Sequence, residues 1–209
     1  MRTTDKIDLK PKKPQRKNGR LKYELLTAAT EELIKRYGIE SLSIQQISKE
    51  ASVPMASVYH FFPSPVAAII AVAEKHLSAM TYELEKPIDF NEVDTVLDLM
   101  CVFIQRTENY YQKNPIAVDL MLGTGQHGYI RQLDIENNLT MTKIMASQFS
   151  LKFHIPLSEE LEYAINNCIA ICDSIWSLAV AECGRITPKC TKHAIIAVSS
   201  YMERITNRL

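Results

Sequence analysis

Gly123, Gly125 and Gly128 are spaced as G-x-G-x-x-G, the strongest enzymatic signal in the 209-residue sequence. Such a loop brings backbone N–H groups up to a dinucleotide pyrophosphate. It works only after a strand and before a helix, with an acidic residue about 20 positions on to hold a ribose. Residues 115–122 instead carry a helical pattern, and Lys143 stands about where the acid is needed. An NAD(P)-binding oxidoreductase using residues 123–128 is therefore the alternative function, and a loop between two helices is the preferred one. Cys168 and Cys172 share a helix face and Cys183 and Cys190 flank Gly184, which raises a thiol switch or a soft-metal site. No histidine joins them at ligand spacing and no Lys/Arg cluster lowers a thiol pKa, so structural thiols are expected. No nucleophile elbow or metalloprotease motif occurs. We expect no catalytic residue, no metal and no cofactor.

The remaining chemistry is charge. Net charge is zero, yet residues 1–66 hold 12 Lys/Arg against 7 Asp/Glu, while residues 67–209 hold 12 against 17. Nine of the cations fall between Arg2 and Lys22. A basic start followed by an acidic body points to an anionic partner at one end. With 46% hydrophobic and 23% charged residues the chain is globular in composition. Its longest apolar stretches are short or broken by Asp173, and no secretory signal opens it, so we expect a cytoplasmic protein with no membrane segment.

The elements that must position these groups are helical throughout. Residues 1–18, with Pro11 and Pro14 and little apolar surface, read as a flexible basic arm. Leu21, Leu25, Ala28, Ala29, Leu33, Ile34 and Tyr37 recur at helical period, with Gly38 as a stop. Ser43 then caps a short helix whose Ile44, Ile47 and Ala51 face inward and whose Gln45, Gln46 and Lys49 face out. A turn at 51–53 leads through Pro54 into a second short helix reaching about His60, and two such helices form a helix-turn-helix unit. Further helices are expected at 65–85, 91–112, 115–122, 129–153, 158–183 and 188–207. The fold class is all-α: an arm at 1–18, a three-helix helix-turn-helix domain at 19–66, and a larger helical ligand-binding and dimerisation domain at 67–209.

DNA recognition needs cations for phosphates, donors for base edges and a thin helix for the major groove. The small Ala56 and Ser57 would let the second short helix approach a duplex, and the Ser57 and Tyr59 hydroxyls could reach phosphates. The stretch GIESLSIQQIS at 38–48, followed by ASVPMASVYHFFPS at 51–64, resembles the N-terminal domain of the TetR/AcrR family of transcriptional repressors. The resemblance implies a sequence-specific DNA-binding regulator, a repressor released by a small-molecule effector. It places Ser57, Tyr59 and Lys22 on phosphate and Gln45, Met55 and His60 on bases or nearby backbone, with Gln46 beside them. Three residues depart from the family pattern. Ser52 stands for the usual turn glycine, Pro54 for the usual Ser or Thr cap, and Pro65 for a common phosphate-holding lysine.

For the second domain, an apolar cavity with a few polar groups is expected, and Met100, Phe103, Gln105, Tyr110, Met121, Phe149, Asn167 and Trp176 are its candidate lining, with Asn109 and Asp173. The helix from Ser158 is apolar on more than one face. Together with Ala194, Ile195, Val198, Tyr201, Met202 and Ile205 of the last helix it could form half of a two-fold four-helix interface. A palindromic double-stranded operator requires such a homodimer.

Overall fold

The computed structural model describes residues 10–124 and 128–206, and every regular element among them is helical. The chain divides into two compact units between His76 and Leu77, ten residues beyond the expected boundary. The shift has a physical cause in the fourth helix, whose Ala67, Ala68 and Ala71 belong to the core of the first unit.

In the first unit, α1 (Lys17–Tyr37), α2 (Ile44–Ala51) and α3 (Met55–Phe61) close over Leu26, Leu33, Ile47, Val58 and Phe62. Gly38 ends α1 at φ 77°, a conformation that costs other residues a Cβ clash. Ser43 caps α2 in a reciprocal box: the Gln46 N–H donates to Ser43 Oγ at 3.3 Å and Ser43 N–H donates to Gln46 Oε1 at 2.9 Å. Ser52 ends α2 left-handed at φ 52°, so the missing glycine leaves a cost of about 1–2 kcal/mol in the turn. The turn is held nonetheless, because Ser48 Oγ donates to the Val53 carbonyl at 2.7 Å and Val53 lies buried. Pro54 is the N-cap of α3 and supplies no side-chain bond to it.

One expectation about the amino-terminal region is corrected: the first helix starts at Lys17, one turn before residue 21. Ahead of it, Lys12 N–H donates to the Phe61 carbonyl at 2.8 Å and Lys13 pairs with Glu74 at 2.5 Å. Gly19 makes room for this path, because a Cβ there would meet Pro14 Cβ at 3.1 Å. Residues 1–9 lie outside the described residues.

The helix α4 (Pro65–Glu85) begins where Ser64 Oγ accepts from Ala67 N–H at 3.2 Å, and it contributes to both units. The second unit adds α5 (Val96–Lys113), α6 (Pro115–Met121), α7 (Gly128–Phe153), α8 (Glu159–Cys183) and α9 (Pro188–Thr206). The fifth helix starts at Val96, five residues after the expected 91. Thr95 and Asp98 form a capping box there, while Asp89 closes a separate 3-10 turn at Phe90–Glu92. Arg106 of α5 fastens the end of α4 by donating to the carbonyls of Lys86 at 2.7 Å and Pro87 at 2.8 Å. By length and composition α8 could cross a membrane, although no such segment is expected from the runs of apolar residues alone. Within this fold it carries Asp173 at mid-length and turns Leu161, Ile165, Cys168, Cys172 and Trp176 inward, with α7 and α9 packed on it.

Candidate nucleic-acid interface and interior cavity

Residue types and local geometry assemble the candidate DNA face on α3 and the start of α1. Val58 and Phe61 point into the core, so helical period turns Met55, Ala56, Tyr59 and His60 outward. An open groove of about 330 Å³ is lined by Asn18, Gly19, Lys22, Ala56, Ser57, His60 and Phe61. It brings the expected Lys22, Ser57 and His60 together. A second hollow, of about 800 Å³, continues from His60 along residues 12–19 and carries Lys12, Lys13, Arg16 and Lys17. Every cation on these two surfaces is an electrostatic match for a polyanion.

The other expected residues are placed differently. Met55 and Tyr59 are exposed at 42% and 49% but do not line the groove, and exposed Gln45 sits on α2. The Gln46 amide oxygen is committed to the α2 cap, where Ser43 Oγ also donates to it at 2.7 Å. That oxygen is therefore occupied in a way its outward register does not reveal. Asn18 lines both surfaces and Arg16 and Lys17 line the second hollow, and the sequence pattern does not single out any of the three. Their signal is the basic run itself, which is hidden when the helix is taken to start after it.

In the second unit a cavity of about 30 Å³, room for about two water molecules, lies among α4, α5, α7 and α8. Met100, Phe103, Asp173 and Trp176 line it as expected. Gln105 and Asn109 are exposed instead, Tyr110 is part-buried away from it, and Met121 and Phe149 are buried in plain core. Asn167 is turned outward from the cavity to donate to the Tyr201 hydroxyl at 2.9 Å. Lining residues that were not expected include Met80 and Leu84 of α4, Tyr111 of α5, Asn138, Met141 and Met145 of α7, and Cys168 and Cys172 of α8. Trp176 is fixed there, its indole N–H donating to Thr191 Oγ1 at 3.2 Å and its ring edge-on to Tyr111.

Burial governs the titratable groups of this region. It pushes Asp173 up to about 7, with the nearby Asp134 carboxylate adding to the shift and Arg131 opposing it. Burial also raises the Cys168 thiol to about 12 and the Cys172 thiol further, which suppresses thiolate chemistry. All five cysteines are free.

The glycine motif has no phosphate-binding context among the described residues. Helix α6 precedes Gly123, where a Cβ would meet the Asp119 carbonyl oxygen at 2.3 Å, and Gly128 opens α7. Residues 125–127 lie outside the described residues. The expected dimer residues Ala194, Val198 and Met202 are buried within the chain, where α9 packs on α8. Leu178 at 60% and Ile196 at 51% remain exposed on these helices.

Comparison with known proteins agrees with this geometry. Residues 26–64 match the family described as bacterial regulatory proteins, tetR family. A TetR-family transcriptional regulator from Streptomyces coelicolor superposes with a TM-score of 0.65 at 14% identity, covering 88% of this chain and 99% of its own. SmeT, the repressor of the Stenotrophomonas maltophilia multidrug efflux pump SmeDEF, gives 0.60 at 11%, covering 87% and 89%. The fatty acid degradation regulator FadR from Bacillus halodurans gives 0.56 at 14%, covering 92% and 96%. No curated protein sequence matches. Residues 26–64 thus match the tetR family of bacterial regulatory proteins, and the all-helical fold of the whole chain is that of solved TetR-family regulators.

Proposed function

We propose that this protein is a homodimeric, cytoplasmic repressor that binds a palindromic operator and is released by a small-molecule effector. The observation that carries the DNA reading is the single groove joining Lys22 of α1 to Ser57 and His60 of α3. In this reading Lys22, Ser57, Tyr59 and the basic segment hold phosphates, while Gln45, Met55 and His60 read bases and the Gln46 amide nitrogen assists. The dimer uses the apolar surface left on α8 and α9. Ile171, Ile175 and Leu178 share one face of α8 by their spacing, and Ile196 extends that surface on α9.

Release follows from the small size of the cavity. Effector pockets usually span about 300–1,000 Å³, so an effector must push apart the helices lining this void. One of those helices is α4, which lines the cavity through Met80 and Leu84 and enters the first-unit core through Ala67, Ala68 and Ala71. Displacing α4 would change the spacing of two α3 helices that must enter grooves about 34–36 Å apart. The effector then binds the DNA-incompetent state more tightly, and DNA weakens effector binding by the same factor. SmeT is itself a repressor, which supports the same role here.

Gln45→Ala and His60→Ala test the base-reading assignment. Each is expected to cost about 1–3 kcal/mol on the preferred sequence and little on random DNA, measured by anisotropy titration against both. Equal loss on both DNAs would reassign the residue to the backbone.

A further inference from the structure

We propose that the second unit binds a small organic cation whose charged group pairs with the Asp173 carboxylate while its apolar body displaces the methionines around Trp176. This rests on the effector reading above and narrows it to one ligand chemistry.

The cavity is built for such a ligand on three counts. Asp173 is the one charged residue among those that line it. The cation that acts on it, Arg131, is occupied, its Nη1 donating to Asp134 at 2.7 Å. Asn138 donates to Asp173 at 3.4 Å, a long bond that leaves most of the carboxylate's capacity unused. Tyr111, Phe103 and Trp176 present ring surface on the same void, and aromatic rings attract a quaternary or alkylated ammonium group through their π faces. Met80, Met100, Met141 and Met145 fill the rest with flexible, polarisable chains, able to yield the volume that the present 30 Å³ lacks. An anion would face the Asp173 and Asp134 charges, and a neutral ligand would leave Asp173 without a counter-ion.

The pH dependence of binding follows in sign. Asp173 titrates near 7 because burial and Asp134 disfavour its charge, and a cation favours that charge. Cation binding therefore releases a proton below pH 7, and affinity rises from pH 6 to pH 8. The groups around Asp173 do not reverse this. On α7 stand the Asp134–Arg131 pair and neutral Asn138. Burial raises Tyr111 and Cys101 on α5 and Cys168 and Cys172 on α8, so they stay neutral across the range. The lining residues of α4 do not titrate, and α9 contributes none to the lining.

Trp176 is the single tryptophan of the chain, so its fluorescence reports the cavity directly. Benzyltrimethylammonium and its uncharged carbon analogue neopentylbenzene are titrated into the wild-type protein and Asp173→Asn at pH 6 and pH 8. The expected result is cation binding at least tenfold tighter than the neutral analogue at pH 8. That affinity should fall about tenfold at pH 6, as ionisation around a value of 7 requires. Asp173→Asn should lose at least tenfold for the cation and nothing for neopentylbenzene. Unchanged binding of the neutral analogue shows that the variant is folded, and the wild-type pH profile tests the same claim with no substitution. Equal affinity for both molecules, a pH-independent cation affinity, or absence of cation binding overturns the proposal. Operator affinity is measured separately. If the cation binds through Asp173 without loosening DNA, the cation site stands and effector release falls.

Discussion

Phe62→Ala is expected to cost about 3–5 kcal/mol and to abolish DNA binding without touching a groove residue. Phe62 is fully buried and meets Tyr23 edge-on at 5.2 Å between ring centroids, inside the cluster that joins α1, α2, α3 and the start of α4. The unit that depends on it ends at His76, and a core of that size rarely supplies much more stability than the substitution removes. Hydrogen exchange should show the amides of α1, α2 and α3 losing protection together. Tyr82→Ala, at a side chain 64% exposed, should leave them unchanged. Retained protection with loss of DNA binding would instead make Phe62 a residue that touches DNA.

Removing residues 1–16 is expected to weaken binding to every DNA sequence alike. The segment carries six cations, Arg2, Lys6, Lys10, Lys12, Lys13 and Arg16, and leaves α1 to begin at Lys17. Every phosphate that is no longer neutralised takes about 0.9 from the slope of log affinity against log salt, a fall of up to about 5 if all six cations contribute. The truncated protein should therefore bind far more weakly than the full chain at low salt and approach it at high salt. The packing of Lys12 against Phe61 and Lys13 against Glu74 gives the segment a defined path beside His60. A truncation that changed sequence preference and kept the slope would make the segment a reader of bases.

The helix ends that are legible in the sequence are those with local chemistry. Ser43, Ser64 and Ser158 each cap a helix with a side-chain bond, and Gly184 closes α8 left-handed. The start of α1 is obscured because Gly19 and the basic residues favour disorder by composition, whereas Pro14 folding over Gly19 is a tertiary effect. The α5 start is misread because Asp89 and Asn91 form a convincing cap of their own one turn too early. On the DNA side, outward register along α3 identifies His60 and the small hydroxyl side chain marks half-buried Ser57, but Gln46 also has outward register and is held in a cap. Inward register likewise marks Met100, Phe103 and Trp176, and gives Met121 and Phe149 the same standing. Periodicity tells which side chains leave water. Whether a buried side chain meets another side chain or a void depends on the facing helices, and Met80, Met141 and Met145 come from those.

The central claim is sequence-specific DNA binding by a dimer through α3, and selection from random duplex DNA by the full chain, followed by footprinting of the enriched sequence, tests it most directly. The predicted result is a palindrome whose half-site centres lie one helical turn or a multiple of it apart, protected at two major-groove faces, with one dimer bound. Enrichment of no sequence over random DNA at physiological salt would contradict the account.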